Sequence, residues 1–492
     1  MSTRLSSGAL VWAGFDGAAV PGPVLDGIAR GRIGGLVLFA YRGNIRSREQ
    51  VRGMLREAAA AARRGGLAPV PVGVDQEGGS VIRIGYGAVF PSAMAIGATG
   101  DPANAERAAR AVALGLRADG IAVNHAPVCD VNVDPRNPVI GTRSFGDDPG
   151  SVARFCASWV IGSEGAGVAT SPKHFPGHGA TAHDTHHTTV DVLVERSVLE
   201  ARELVPFRAA FAAGASSVMT AHVRYPAFDD DSIATLSPLI LGGLLRDELG
   251  FTGLSLTDAL DMSGVTQVET PDRVAARAIN AGIDAVMVTS GIERQLAASE
   301  HIAIGVPPAR LREAIVRAGA FRERFGVEAP DLPFDDGPAR ALALEIAAAS
   351  ITHVGPALPP LGGPIRVALF PPQRRSPVEE LAQLETHFEN ALRERLGARL
   401  AFSVDGSAPA GDGPLAVCTS SAFFDPPQAE RARALLSGGG ILCALRSPYD
   451  ASLVPDVPSL LTYGDVPVSL TALADVLAGR ARPRGTAPVR IA

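Results

Sequence analysis

The chain has 492 residues with a formal net charge of −6, 46% hydrophobic and 20% charged. That length holds two or three domains with an ample core, and the composition is that of an ordinary globular protein. The acidic balance excludes an electrostatic case for nucleic acid or an anionic membrane surface.

The first 22 residues, MSTRLSSGALVWAGFDGAAVPG, contain one Arg and an apolar run of about six residues before Asp16, too short for a signal segment. No later stretch reaches the roughly 18 apolar residues of a spanning helix, so the sequence reads as cytoplasmic. Cys129, Cys156, Cys418 and Cys443 form no C-x-x-C pair and read as reduced, buried thiols.

From residue 9, short apolar runs alternate with longer amphipathic ones. The apolar runs are 9–15, 34–40, 69–75, 121–131, 168–175, 216–223, 253–260 and 281–288. Between them, 47–65, 103–120, 149–167, 195–214 and 237–250 carry helical patterns. Continuous apolar strands separated by helices predict a parallel sheet covered on both faces. Eight such units in about 300 residues fit a (β/α)8 TIM-type barrel. No G-x-G-x-x-G follows the first strand, which removes the main support for a dinucleotide fold.

In such a barrel, functional side chains gather at the C-terminal ends of the strands. The polar residues there are Asp75-Gln76-Glu77, Asp130, Lys173-His174, His222 and Asp258. Carboxylates and cations converging on one mouth suit a polyhydroxylated ligand. At 329–340, APDLPFDDGPAR reads as a linker. A smaller α/β sandwich domain follows over 341–492, with strands near 365–370, 415–421 and 439–445 and helices at 379–397, 429–439 and 469–480. The barrel domain accordingly spans 1–328.

The densest polar constellation is KHFPGHGATAHDTHH at 173–187, with His174, His178, His183, His186 and His187. Its Gly and Pro residues make it a loop. Three readings compete: a solvated surface loop, a metal site, and an acid/base loop in which Asp184 orients His186. The spacings match neither H-E-x-x-H nor the usual Cys/His ligand pairs.

DQEGGSVIR (75–83), APVCDVNVDPRNPVIGTRSFGDDP (126–149), KHFPGHGATAHDTH (173–186), MTAHVRYPAFD (219–229) and LGFTGLSLTDALDMSGV (249–265) occur in this order. Together they resemble glycoside hydrolase family 3, in its bacterial β-N-acetylhexosaminidase branch, over roughly residues 8–325. The later segment is similar to the C-terminal domain of two-domain members.

The resemblance implies a retaining exo-β-N-acetylglucosaminidase with Asp258 as nucleophile, His186 as acid/base and Asp184 as its orienting partner. Asp75, Arg83, Arg143, Lys173 and His174 stand at the sugar-binding positions. It further implies a GlcNAc-terminated glycoside or muropeptide as substrate, in cell-wall recycling, with no cofactor or metal. A retaining glycosidase needs a nucleophile on one face of the anomeric carbon and a proton donor on the other, chemistry that a carboxylate such as Asp258 and an imidazole such as His186 can supply.

The rivals are a β-N-acetylglucosaminide phosphorylase, a β-glucosidase, a metal-dependent hydrolase and a non-catalytic sugar-binding protein. Individual residues have plainer readings too: Asp258 as a helix N-cap, Arg143 as a structural ion pair, His178 as a shaper of the loop, Asp130 as a structural acceptor, and Glu77 and His222 as supports. Two positions depart from the family pattern. Ala259 stands where many relatives carry a second acid, and Ser80 where they often carry Arg.

Overall fold

The computed structural model describes residues 6–181, 190–267, 269–372, 379 and 384–491. All eight apolar runs of the first part contain a strand: β1 (Val11–Ala13), β2 (Gly35–Val37), β3 (Val72–Val74), β4 (Val123–Asn124), β5 (Ala169–Thr170), β6 (Ser217–Thr220), β7 (Leu254–Ala259) and β8 (Ala285–Val288). They form one parallel sheet in the order β5-β4-β3-β2-β1-β8-β7-β6. The ring closes one step beyond β5. Met219 N–H donates to the Pro172 carbonyl at 3.1 Å, Phe175 N–H to Met219 at 2.9 Å, and Ala221 N–H to Phe175 at 2.9 Å. The start of the histidine-rich loop is therefore itself a barrel wall, held by backbone bonds.

Side chains fill the interior. Trp12 is 2% exposed, and its ring lies 6.1 Å from that of His125. Their bulk explains two glycines: a Cβ at Gly35 would fall 2.4 Å from Trp12, and one at Gly73 would fall 2.4 Å from His125 Nε2. At the start of β8, buried Asp284 accepts from Arg246 (2.6 Å), Arg310 (2.9 Å) and Arg317 (3.1 Å), tying the outer helices to the sheet.

Two elements differ from the expected pattern. The helix expected over 195–214 is broken into Arg196–Ala201 and Leu204–Ala212. Pro206 accounts for the break, since its ring would clash with the carbonyl of Arg202 in a continuous helix. The β5–β7 region also carries an extra three-stranded sheet of Val190–Asp191, Val223–Tyr225 and Asp229–Ile233. Its Asp-rich last strand has no apolar alternation to announce it.

The second sheet has six strands: β9 (Thr352–Val354), β10 (Ile365–Leu369), β11 (Leu400–Ser403), β12 (Leu415–Thr419), β13 (Ile441–Ala444) and β14 (Ser459–Leu461). Their order is β9-β14-β13-β12-β10-β11, with only β9 antiparallel to its neighbour. The helix Gly337–Ser350 serves both halves: Ala343 and Ile346 join the barrel core, and Ala347 joins the second core. A third apolar cluster joins Met94, Ala95 and Ala98 to Leu415, Val417, Leu461 and Tyr463. Among the described residues, no helix is long and apolar enough to cross a membrane.

Candidate active site

The C-terminal ends of the barrel strands open into a cavity of about 280 Å³. It is lined by Asp75, Arg83, Arg143, Lys173, His174 and Asp258, with Glu77, His178 and His222 beside them. Six of the eight residues singled out from the sequence thus share one cavity. Asp184 and His186, with His183 and His187, lie outside the described residues.

Asp75 follows β3 directly, and the chain then turns through Gly78-Gly79 so that Arg83 returns to the same mouth. Gln76, named above only as one of the polar strand-end residues, organises that return. Its side-chain oxygen accepts from the backbone N–H of Arg83 (2.8 Å) and Ile84 (2.9 Å), and its amide donates to the Ile84 carbonyl (3.2 Å). Asn124, at the end of β4, holds the Gln76 backbone by two bonds of 3.0 Å. A polar residue between two acids gave one signal of this role: a buried Gln must spend both ends of its amide.

The floor of the cavity is an ion network. Lys173 Nζ donates to Asp75 Oδ1 and Glu77 Oε1, both at 2.7 Å. Arg143 grips Glu77 with two bonds of 2.8 Å, and Arg83 Nη2 stands 3.7 Å from Asp75. Burial opposes ionisation of both acids, but the cations outweigh it. Lys173 and then Arg83 hold Asp75 far below the usual carboxylate range, and Arg143 and then Lys173 hold Glu77 at about 2. Burial likewise disfavours the Lys173 ammonium, and the two acids overcome it and raise its pKa. All three groups are charged at neutral pH, and charged donors and acceptors at a cavity wall can bond hydroxyl groups. For Arg143, the bidentate Glu77 contact is the ion pair of the plainer reading, formed by a side chain that also lines the cavity.

Asp130 sits behind this layer, fully buried, and is a structural acceptor. It takes the His178 backbone N–H at 2.6 Å and His174 Nδ1 at 2.7 Å. Arg143 Nη2 lies 3.4 Å from His174 Nε2. A guanidinium only donates, so Nε2 accepts and the His174 proton sits on Nδ1, given to Asp130. His178 bonds Thr181 at 2.8 Å, and burial lowers its pKa to about 4, leaving it neutral. It shapes the loop while its ring borders the cavity.

Asp258 lies within β7 and accepts the Ala259 backbone N–H at 2.7 Å. The helix that follows, Ser263–Thr266, has Met262 at its N-cap, so Asp258 has no capping duty. Burial works against its charge, but the imidazoles of His222 and His174, the Ala259 N–H and Lys173 lower its pKa below the ordinary aspartate value. It is an ionised, half-buried carboxylate facing the cavity, the state a nucleophile requires. His222 is fixed between Thr235 Oγ1 (2.8 Å) and the Ala259 carbonyl (3.1 Å), a supporting position.

Among the described residues, every side chain lining this cavity belongs to 39–289. The second sheet comes close on the other side of the 135–143 loop, where Ser421, Arg446 and Ser447 border a separate notch that also contains Ser80. Asn132 donates to the Tyr449 hydroxyl at 2.8 Å across that boundary. Ala259, by contrast, lines the main cavity, so the two departures from the family pattern fall in different places. No group of three His, Cys, Asp or Glu placed to hold a metal ion occurs among the described residues.

Comparison with known proteins gives the family. Residues 24–317 match the N-terminal domain of glycosyl hydrolase family 3. A β-hexosaminidase of Stenotrophomonas maltophilia is 39% identical over 286 residues, covering 56% of this chain and 82% of that protein. β-Hexosaminidase A of Pseudoalteromonas piscicida is 36% identical over 295 residues, 56% of this chain; the match spans about half of that relative, 49%. The solved structure of a glycoside hydrolase family 3 β-N-acetylglucosaminidase from Paenibacillus sp. str. FPU-7 superposes with a TM-score of 0.91 at 32% identity, covering 100% of this chain and 99% of that one. With an eight-stranded parallel barrel, a second α/β domain and a charged cavity at the strand ends, the chain belongs to glycosyl hydrolase family 3.

Proposed function

We propose that the protein is a retaining exo-β-N-acetylglucosaminidase that removes terminal GlcNAc through a glycosyl-enzyme intermediate on Asp258. In the first step a carboxylate oxygen of Asp258 bonds to the anomeric carbon. The bond to the leaving oxygen breaks, and that oxygen takes a proton from His186, which Asp184 orients. In the second step His186 takes a proton from water, the hydroxide oxygen bonds to the anomeric carbon, and Asp258 is released. Asp75, Arg83, Arg143, Lys173 and His174 hold the hydroxyls of the terminal sugar. The natural substrate in this reading is a muropeptide or similar cell-wall fragment, handled in the cytoplasm.

The observation that carries the reading is the pairing of an ionised Asp258 at the end of β7 with the Lys173–Asp75–Glu77–Arg143 network in one closed-ended cavity. The names of the relatives support the sugar. As part of the same reading we divide the chain into a catalytic barrel (1–328), a linker (329–340) and a C-terminal α/β domain (341–492), supported by the two separate sheets.

The test is aryl-glycoside release from β-GlcNAc and β-glucose substrates, with and without phosphate. GlcNAc-specific release of free sugar supports the proposal. A sugar 1-phosphate formed when phosphate is added would replace it with phosphorolysis, and release from glucose alone would replace the sugar.

A further inference from the structure

The mouth of the cavity holds an aromatic side chain that the reaction above does not use. Tyr41 is 50% exposed, yet it lines the same cavity as Asp75, Arg83 and Asp258. It lies on the short turn Ala40–Arg42 that follows β2. The turn is built rigidly. Asn44, fully buried, accepts from Phe39 N–H (2.9 Å) and donates to the carbonyls of Phe15 (3.0 Å) and Gly17 (2.8 Å). Arg42 donates to the Thr289 carbonyl at 2.7 Å, which ties the turn to the end of β8. The Tyr41 ring itself rests against Phe39, centroids 5.2 Å apart, with the Arg83 guanidinium 5.8 Å from its centroid.

Exposure orders the cavity along its depth. Lys173 is 2% exposed, Arg83 3% and Arg143 8%, so these groups form the closed end. Tyr41 stands at the open end. An enzyme that takes one terminal sugar at a time puts that sugar at the closed end and its leaving group at the open end. A rigid aromatic face beside a polar pocket is a ready surface for the apolar face of a pyranose ring, and its rigidity lowers the ordering cost of binding.

We propose that Tyr41 is the stacking platform for the first sugar of the leaving group and sets the preference for saccharide over small-alcohol leaving groups. The proposal rests on the exo-glycosidase reading.

The experiment compares kcat/KM for a β-linked GlcNAc disaccharide with that for methyl β-GlcNAc, which has no second ring. The proposal expects Tyr41→Ala to lower the disaccharide-to-methyl ratio about tenfold, equivalent to about 1.4 kcal/mol. Tyr41→Phe keeps the ratio within about twofold of wild type, because the ring rather than the hydroxyl does the stacking. Tyr41→Leu, which preserves apolar bulk without a flat face, falls with Tyr41→Ala and guards against a folding defect in the smaller variant. An unchanged ratio in Tyr41→Ala and Tyr41→Leu overturns the platform, as does a Tyr41→Phe ratio as low as theirs. If the wild type cleaves neither substrate, the activity reading itself fails and the platform with it. That failure is visible before any variant is made.

Discussion

Replacing Glu77 by Gln removes the charge on which two buried cations converge, while changing the side chain's volume little. Glu77 is 5% exposed and takes 2.8 Å bonds from Arg143 through both oxygens and a 2.7 Å contact from Lys173. Its pKa falls from 4.5 to about 2: burial raises it, and Arg143 and then Lys173 more than reverse that effect. At roughly 1.4 kcal/mol per pKa unit, the drop corresponds to about 3 kcal/mol of stability at pH 7. Removing one member of a buried pair independently implies about 3–5 kcal/mol. Because the folded pKa lies below the unfolded one, the stabilisation is complete above pH 4.5 and fades as pH falls toward 2. At pH 3 less than half of it remains. Urea unfolding of wild type and Glu77→Gln at pH 7 and pH 3 measures both values. A loss below about 1 kcal/mol at pH 7, or one that is the same at both pH values, refutes this account of the network.

Two further substitutions address the histidine-rich loop, and a pH profile addresses Asp258. His186→Ala is expected to slow substrates with poor leaving groups far more than activated aryl glycosides, since only the former need a proton; equal losses would remove the acid role. Gly179→Ala would place a Cβ 1.7 Å from the Val131 carbonyl, and backbone cannot step aside cheaply. We expect a loss of about 2–3 kcal/mol in thermal or urea unfolding together with reduced turnover, and an unperturbed melting temperature would contradict the packing argument. The lowered pKa of Asp258 keeps it ionised through the neutral range, so the acid limb of kcat/KM that reports the nucleophile lies below the ordinary aspartate value of 3.8. A nucleophile-dependent limb near pH 6 would show that its surroundings are misread.

The sequence showed the barrel because its buried strands are continuous apolar runs. The residues just past those runs then converge, as strand-end residues of a barrel must. Less was legible where structure depends on contacts far apart in the chain. The edge strands β9 and β11 are mostly half-buried, so neither belongs to a continuous apolar run, and the Asp229–Ile233 strand runs against strand propensity. Gln76 gave little sign that it clamps the return of Arg83, because its partners reach it only once the Gly78-Gly79 turn has formed and β3 has paired with β4. Arg143 as ion pair and Arg143 as pocket wall were posed as alternatives, yet the folded chain makes it both. The break at Pro206 was the reverse case: the residue was visible, and the helix pattern on either side masked it.

The central claim is that Asp258 becomes covalently bonded to the sugar. A fluorinated aryl β-GlcNAc donor that forms the glycosyl-enzyme faster than water releases it would, by this account, raise the intact mass of the protein by one sugar. Peptide mapping would put that sugar on the segment containing Asp258, and Asp258→Ala would show no adduct. A substrate turned over by wild type with no adduct under these conditions, or an adduct on another side chain, would contradict the account.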